Sequence, residues 1–287
     1  MTEPQKPDLS GKRLSVISLS DQCKQVILGS LLGDGCLTIQ KGYKNARMQI
    51  RHSIVQEDYI KWKFEMLSEI ALKKLQYQKP DGYSNNQKIG FMSKAMSQLT
   101  EINRICYKDN KLQIKRFWLN HLTELGLLIW WLDDGSLVRK GKGGVFCTDG
   151  FDLPAIKILH KYFKKVWKID TKIGLLNRRG DGYTKDVYYR LYLNNTELRK
   201  LLHLIMPLME VPAMVRKMCL RYKDPQFQQR WISEMKKAMP TMHTAIDAFY
   251  ESQKNIVLSA PEDESLLPDS LLSEDDSLLE DESLLEE

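Results

Sequence analysis

At 287 residues with 43% hydrophobic content, the chain can bury the core of two ordinary domains or of one pair of similar halves. Its longest apolar stretch, Leu125 to Leu132, is too short for a membrane span, and Met1-Thr2-Glu3-Pro4-Gln5-Lys6-Pro7 does not resemble a secretory leader. The net charge of +6 hides an asymmetry: residues 261–287 hold 12 Asp or Glu and no Lys or Arg, leaving +18 on residues 1–260, a body expected to meet a polyanion, DNA or RNA.

From Ser20-Asp21, a favourable cap, a helix is expected to run into Gly33. It is apolar on nearly all sides and so belongs in the interior, with Gly29 and Gly33 on one face where another helix could approach closely. Two alternating segments follow around a Lys41-Gly42 turn, Cys36 to Gln40 and Ala46 to Arg51, which read as a hairpin with one apolar and one polar face. A helix over about 56–71, a second hairpin (74–77 and 87–92, loop at Asp81-Gly82) and a helix over about 96–107 complete the series.

The order then repeats. Asn120 is expected to cap a helix running into Asp133, followed by strands at 136–138 and 145–147 and a helix at 153–167. Strands at 171–176 and 187–193 and a helix at 197–206 close a second α-β-β-α-β-β-α unit. Residues 224–258 read as an additional helical segment. From Pro261 an acidic low-complexity tail begins, with Ser-Leu-Leu at 265, 270, 277 and 283; it is open between a disordered solubilising tail and a tethered competitor for the basic body. Cys23, Cys36, Cys106, Cys147 and Cys219 form no CxxC pair and read as reduced thiols, which suits a soluble protein of a reducing compartment, a bacterial cytoplasm or an organelle.

The repetition reaches the residue level. Ile27-Leu28-Gly29-Ser30-Leu31-Leu32-Gly33-Asp34-Gly35 is echoed 100 residues later by Leu127-Leu128-Ile129-Trp130-Trp131-Leu132-Asp133-Asp134-Gly135. Pro80-Asp81-Gly82-Tyr83-Ser84 is matched at the same offset by Gly180-Asp181-Gly182-Tyr183-Thr184. An acid at the C-terminal end of a buried helix opposes the helix dipole, and two such acids brought together repel. A hard divalent cation, Mg²⁺ above all, relieves both conflicts, which makes Asp34 and Asp134 candidate ligands.

These two motifs resemble those of a single-chain LAGLIDADG homing endonuclease, in the branch whose second motif is a Trp-containing run closed by Asp-Asp-Gly. The resemblance extends from about Ser20 to Tyr222. It implies an α+β fold of two pseudo-twofold halves, 14–118 and 119–223, with the motif helices packed together and two saddle-shaped antiparallel sheets over DNA; segments 224–260 and 261–287 lie outside it. It further implies a monomer that makes a metal-dependent double-strand break in a long asymmetric DNA site, with Asp34 and Asp134 holding the metals. The alternative of the same fold is an RNA maturase, acting on intron RNA, or another non-cleaving nucleic-acid binder. The family's two basic residues carry over onto Lys111 and Lys217, which lie 77 and 83 residues after their respective aspartates. The first stands in Asn110-Lys111-Leu112-Gln113-Ile114, which lacks the branch's proline, so Lys108 and Lys115 compete with Lys111. Asp133, where the first motif has Gly33, is open between metal binding and local capping.

A two-stranded ribbon fits the major groove, where Arg, Lys, Gln and Asn distinguish base edges. The candidates are Thr38, Gln40, Arg47, Gln49, Arg51, Lys79, Asn85 and Gln87 in the first half, and Arg139, Lys140, Lys142, Arg178, Arg179, Lys185 and Arg190 in the second. Trp62, Phe64, Trp118 and Trp167 read as core, and the five histidines as scattered, with no zinc or nucleophile constellation.

Overall fold

The computed structural model describes residues 14–80, 86–138, 141–177 and 187–257. The fold is α+β, with two four-stranded antiparallel sheets and accompanying helices. Two compact units meet in sequence at Gly135: one takes the chain up to Gly135 together with Leu204–Met214, the other takes Ser136–His203 and the chain from Val215 onward.

In the first unit, α1 (Asp21–Leu32) starts where Ser20 Oγ accepts the Cys23 N–H at 3.1 Å. Its residues from Gln25 to Leu32 are all buried. Strands β1 (Gly35–Thr38) and β2 (Arg47–Ser53) pair antiparallel with Gly35 opposite Ile50 and Thr38 opposite Arg47. Gly42, at φ +85°, supplies the left-handed residue of their turn. On β2 the alternation is strict: Met48, Ile50 and His52 are buried, while Arg47, Gln49 and Arg51 face outward.

Helix α2 (Glu57–Met66) ends five residues before the expected boundary. The chain beyond it turns toward the sheet instead, because Ile70 O accepts from Lys94 N and Leu72 N donates to Met92 O. Strands β3 (Gln76–Gln78) and β4 (Lys88–Met92) complete a sheet of order β1-β2-β4-β3, and α3 (Ser97–Cys106) follows. A small hairpin that the sequence pattern did not suggest comes next, β5 (Tyr107–Lys108) and β6 (Lys111–Leu112), turning on Asp109 and Asn110 at φ 51° and 60°. Asp and Asn tolerate that left-handed region better than most side chains.

After the short α4 (Arg116–Leu119), the second motif helix α5 spans Glu124–Asp134. Asn120 does not cap it; the Asn120 N–H bonds to Arg116 O and so closes α4. The start of α5 is met by α1: Gln25 Nε2 donates to His121 O at 2.7 Å, and Gln25 Oε1 accepts the Thr123 N–H at 2.8 Å. The two motif helices pack through glycine. A methyl on Gly29 would lie 2.8 Å from Ile129 Cβ and 3.1 Å from the Gly126 carbonyl carbon. The flat face anticipated on α1 therefore receives α5 directly, and Leu127 to Leu132 are all buried.

In the second unit, β7 (Gly135–Val138), β8 (Gly143–Phe146), α6 (Leu153–Tyr162), β9 (Lys172–Asn177) and β10 (Val187–Leu193) repeat the connectivity of the first. The sheet order β7-β8-β10-β9 matches strand for strand. Asp152 caps α6 by accepting the Ala155 N–H at 3.0 Å, and Phe163–Trp167 continues it as a π-turn closed by Lys168 at φ 57°. α7 (Asn195–Ile205) follows, and the segment expected after residue 224 is two helices, α8 (Pro225–Ala238) and α9 (His243–Val257), separated at Met239-Pro240. Trp231 on α8 is buried and donates to Met218 O at 3.1 Å. The acidic tail lies outside the described residues. Among the described residues no helix is long and apolar enough to cross a membrane.

Candidate metal centre

The first motif acid lies just beyond the end of α1. The Asp34 side chain is 38% exposed, and its Oδ2 stands 3.3 Å from Nδ1 of His52, a residue only 3% exposed on the inner face of β2. The Asp34 N–H donates to Asp133 Oδ2 at 3.2 Å, so the penultimate residue of the second motif helix holds the backbone of the first motif acid. The Asp133 side chain is fully buried. Its Oδ1 accepts from Lys63 Nζ at 2.6 Å and from the Tyr59 hydroxyl at 2.7 Å.

Tyr59 joins these elements. Its ring centroid lies 5.2 Å from that of His52, and the Lys63 ammonium sits 4.6 Å from it. Burial, and then the charges of Asp133, Asp34 and Asp134, raise its phenol well above the ordinary value, so it stays a proton donor. Three carboxylates thus act on one buried hydroxyl. Gly33 is required here as well: a methyl on it would come within 2.7 Å of Asp133 Oδ2.

Ligand atoms of Asp34, His52 and Asp133 lie within 4.8 Å of one another, the geometry of a candidate metal site. The chemistry separates the three. Asp133 directs its oxygens to an ammonium, a hydroxyl and the Asp34 N–H, contacts that fit a local cap on Asp34. The part-exposed carboxylate of Asp34 suits a hard divalent cation. Asp134, the last residue of α5, is likewise part-exposed.

The other sequence candidates are dispersed. Lys111 is exposed on β6 directly across from Lys108, so the structure places those two alternatives side by side. Their hairpin is tied to β1 by the Leu37 N–H donating to Tyr107 Oη at 3.2 Å. Lys115 is exposed immediately before α4. Lys217 is buried at the end of the 3₁₀ turn Pro212–Lys217, in the second unit. Arg47, Gln49 and Arg51 share the outer face of β2, with Thr38 opposite Arg47 and Gln40 exposed just beyond β1. Lys79, Gln87 and Lys142 are exposed, and the Arg47 guanidinium lies 4.4 Å from the Tyr43 ring centroid. Arg190 is already engaged: its Nε donates to Asp149 Oδ1 at 2.6 Å, and that pairing raises the guanidinium above its ordinary value. Asn85, Arg139, Lys140, Arg178, Arg179 and Lys185 lie outside the described residues.

Trp118 is core as expected, whereas Trp62 is half-buried and donates to Glu210 Oε2 at 2.9 Å. His52, Tyr59 and Lys63 were not among the sequence candidates. Their signal was positional, since each polar group occupies the apolar phase of its element.

A family model described as the LAGLIDADG DNA endonuclease family matches residues 24–201. A protein RecA of Mycolicibacterium chitae is 35% identical over 135 residues, 46% of this chain and 30% of that protein. The cytochrome b mRNA maturase bI2 of Debaryomyces hansenii is 29% identical over 161 residues, 52% of this chain and 59% of the maturase. The chain thus spans about a third of the RecA relative and somewhat more than half of the maturase. Among solved structures, the homing endonuclease I-WcaI bound to its DNA recognition sequence is similar with a TM-score of 0.62 at 19% identity, covering 77% of this chain and 96% of that one.

Proposed function

Because the chain belongs to the LAGLIDADG DNA endonuclease family, we propose that it is a site-specific endonuclease that makes a divalent-metal-dependent double-strand break in a long, asymmetric DNA site. The observation that carries this is the direct packing of two motif helices, each leading into a part-exposed aspartate, Asp34 and Asp134. In this reading the halves 14–118 and 119–223 act together in a monomer, and each aspartate serves one strand. Bound there, a cation such as Mg²⁺ would supply Lewis-acid activation of water and neutralise charge on the scissile phosphate.

The protein's own groups supply position and field. Asp34 and Asp134 offer oxygen ligands, while Lys111, with Lys108 beside it, and Lys217 add positive charge to stabilise the developing phosphorane or polarise the attacking water. The outer face of β2 with Thr38 and Gln40 reads base edges, and the remaining surface cations engage phosphates. Arg190 would exchange Asp149 for DNA only at the cost of an established ion pair.

Intron RNA binding is the second reading, supported by the similarity to a maturase. Retention of both motif acids favours cleavage, since RNA binding alone does not need them. The deciding experiment is a plasmid-cleavage assay on the uninterrupted host sequence, with Mg²⁺ against EDTA. Linear product with Mg²⁺ alone supports the endonuclease. Specific RNA binding with no DNA cut supports the alternative.

A further inference from the structure

We infer that His52 and Asp133 are positioning residues for Asp34, and that they make the two motif acids unequal, so that the two strands of a duplex are cut by differently supported sites. Asp34 is approached from two sides, at its carboxylate and at its backbone N–H. His52 Nδ1 faces its carboxylate at 3.3 Å, and Asp133 accepts its backbone N–H at 3.2 Å. Tyr59 links the two supports, with its ring against His52 and its hydroxyl on Asp133, and Lys63 secures Asp133 from the other side.

The equivalent residues of the duplication do not supply these two side chains to Asp134. The counterpart of Asp133 in the first motif is Gly33, which has no side chain to return the contact to Asp134. The strand corresponding to β2 in the second half is β8, and neither it nor the following Cys147-Thr148 carries an imidazole. Thr148 donates its hydroxyl to Tyr189 O at 2.8 Å.

Energetics point the same way. A buried ammonium–carboxylate pair is no better for stability than well-packed apolar side chains of similar volume, because both charges lose their hydration. Lys63 and Asp133, both fully buried, therefore fit a task that apolar residues could not perform: keeping a carboxylate fixed against the Asp34 amide. His52 completes that task at the side chain, where a small displacement of a reacting group is costly to rate.

Two measurements test this, and only the second rests on the endonuclease reading. In the full chain labelled with ¹⁵N-histidine, the His52 ring signals, identified by their loss in His52→Asn, should move on Asp34→Asn while the other four histidines stay in place. Unchanged His52 signals would overturn the contact whether or not the protein cuts DNA. On a duplex labelled on both strands, His52→Leu should slow one strand by about tenfold to a hundredfold and leave the other nearly unaffected, so that nicked DNA accumulates. His52→Asn, which returns an N–H close to the Nδ1 position, should restore most of that rate. Equal slowing of both strands, or an Asn variant as slow as Leu, would reduce His52 to a packing residue. If the wild-type protein cuts neither strand, the endonuclease reading fails and the ring signals alone decide the contact.

Discussion

Replacing Lys63 with Met tests the buried core of the site most directly. The ammonium lies 2.6 Å from Asp133 Oδ1, and neither side chain has any exposed surface. Met has nearly the volume of the Lys stem, so the change removes charge and donor with little change in packing. Asp133 then keeps the Tyr59 hydroxyl and the Asp34 N–H but loses its counter-charge, and removing one partner of a buried pair costs about 3–5 kcal/mol. At about 2–4 °C per kcal/mol for a unit of this size, the melting temperature should fall by roughly 10 °C. Adding Asp133→Leu should recover part of the loss, since no charge is left unpaired, but the Asp34 N–H loses its Asp133 acceptor at a cost of about 1 kcal/mol or more, while the Tyr59 hydroxyl keeps the Ile129 carbonyl at 3.3 Å. Urea and thermal unfolding followed by circular dichroism would compare wild type with both variants. If Lys63→Met matched wild type within about 0.5 kcal/mol, the ammonium would not be buried against Asp133 and the assigned network would be wrong.

Gly29→Ala should destabilise the first unit by about 1–3 kcal/mol, read from the same unfolding curves, because its methyl meets the Gly126 backbone, which cannot rotate away. Asp34→Asn and Asp134→Asn should each abolish or cripple double-strand cleavage while leaving specific binding in gel shifts largely intact; a variant that cuts both strands at the wild-type rate would refute the ligand assignment. DNA affinity should fall steeply with salt, by about 0.9 in the log–log slope per phosphate neutralised, and a salt-insensitive affinity would contradict a groove built on Lys and Arg. Burial, above all, lowers His160, bonded to Thr171 at 2.9 Å, below the ordinary histidine value, so the folded state protonates it at lower pH than the unfolded chain. The unfolded chain therefore binds the extra proton first, so stability should fall as pH drops through about 6.5, and His160→Gln should flatten that part of the profile.

What the sequence disclosed about this site followed from periodicity. Met48 and Ile50 alternating with Arg47, Gln49 and Arg51 defined the hairpin and its faces, and the Gly29/Gly33 spacing announced a close helix contact. What it concealed came from partners remote in sequence. The start of α5 is not legible locally, because the N–H of its N-cap residue Thr123 bonds to the distant Gln25 and the nearby Asn120 closes α4. The 107–112 hairpin rests on the left-handed Asp109-Asn110 pair, a turn signal that sits directly after a helical pattern. His52 and Lys63 carry no motif of their own, since a scattered histidine and a helical lysine look like ordinary surface residues. Both elements have the periodicity that marks those positions as internal, so a polar residue in apolar phase was the available signal. The donors around Asp133 come from Asp34, Tyr59 and Lys63, all 70 or more positions away in the chain.

The Gln25 bridge has a consequence for how the chain reaches its native state. It joins residues 96 and 98 positions apart, and the Asp34–Asp133 bond spans 99. The contacts that join the two motif helices are therefore made only when α1 has been brought to the start of α5 across a loop of that length. Loop closure of this kind grows slowly in entropic cost but weighs heavily on rate, since none of the glycine packing is gained before the ends meet. The hairpins of the first sheet, with much shorter separations, are free to form beforehand. Docking of α1 onto α5 is then expected to come late, and Gln25→Ala should slow refolding in stopped-flow measurements more than it alters the contacts of the sheet.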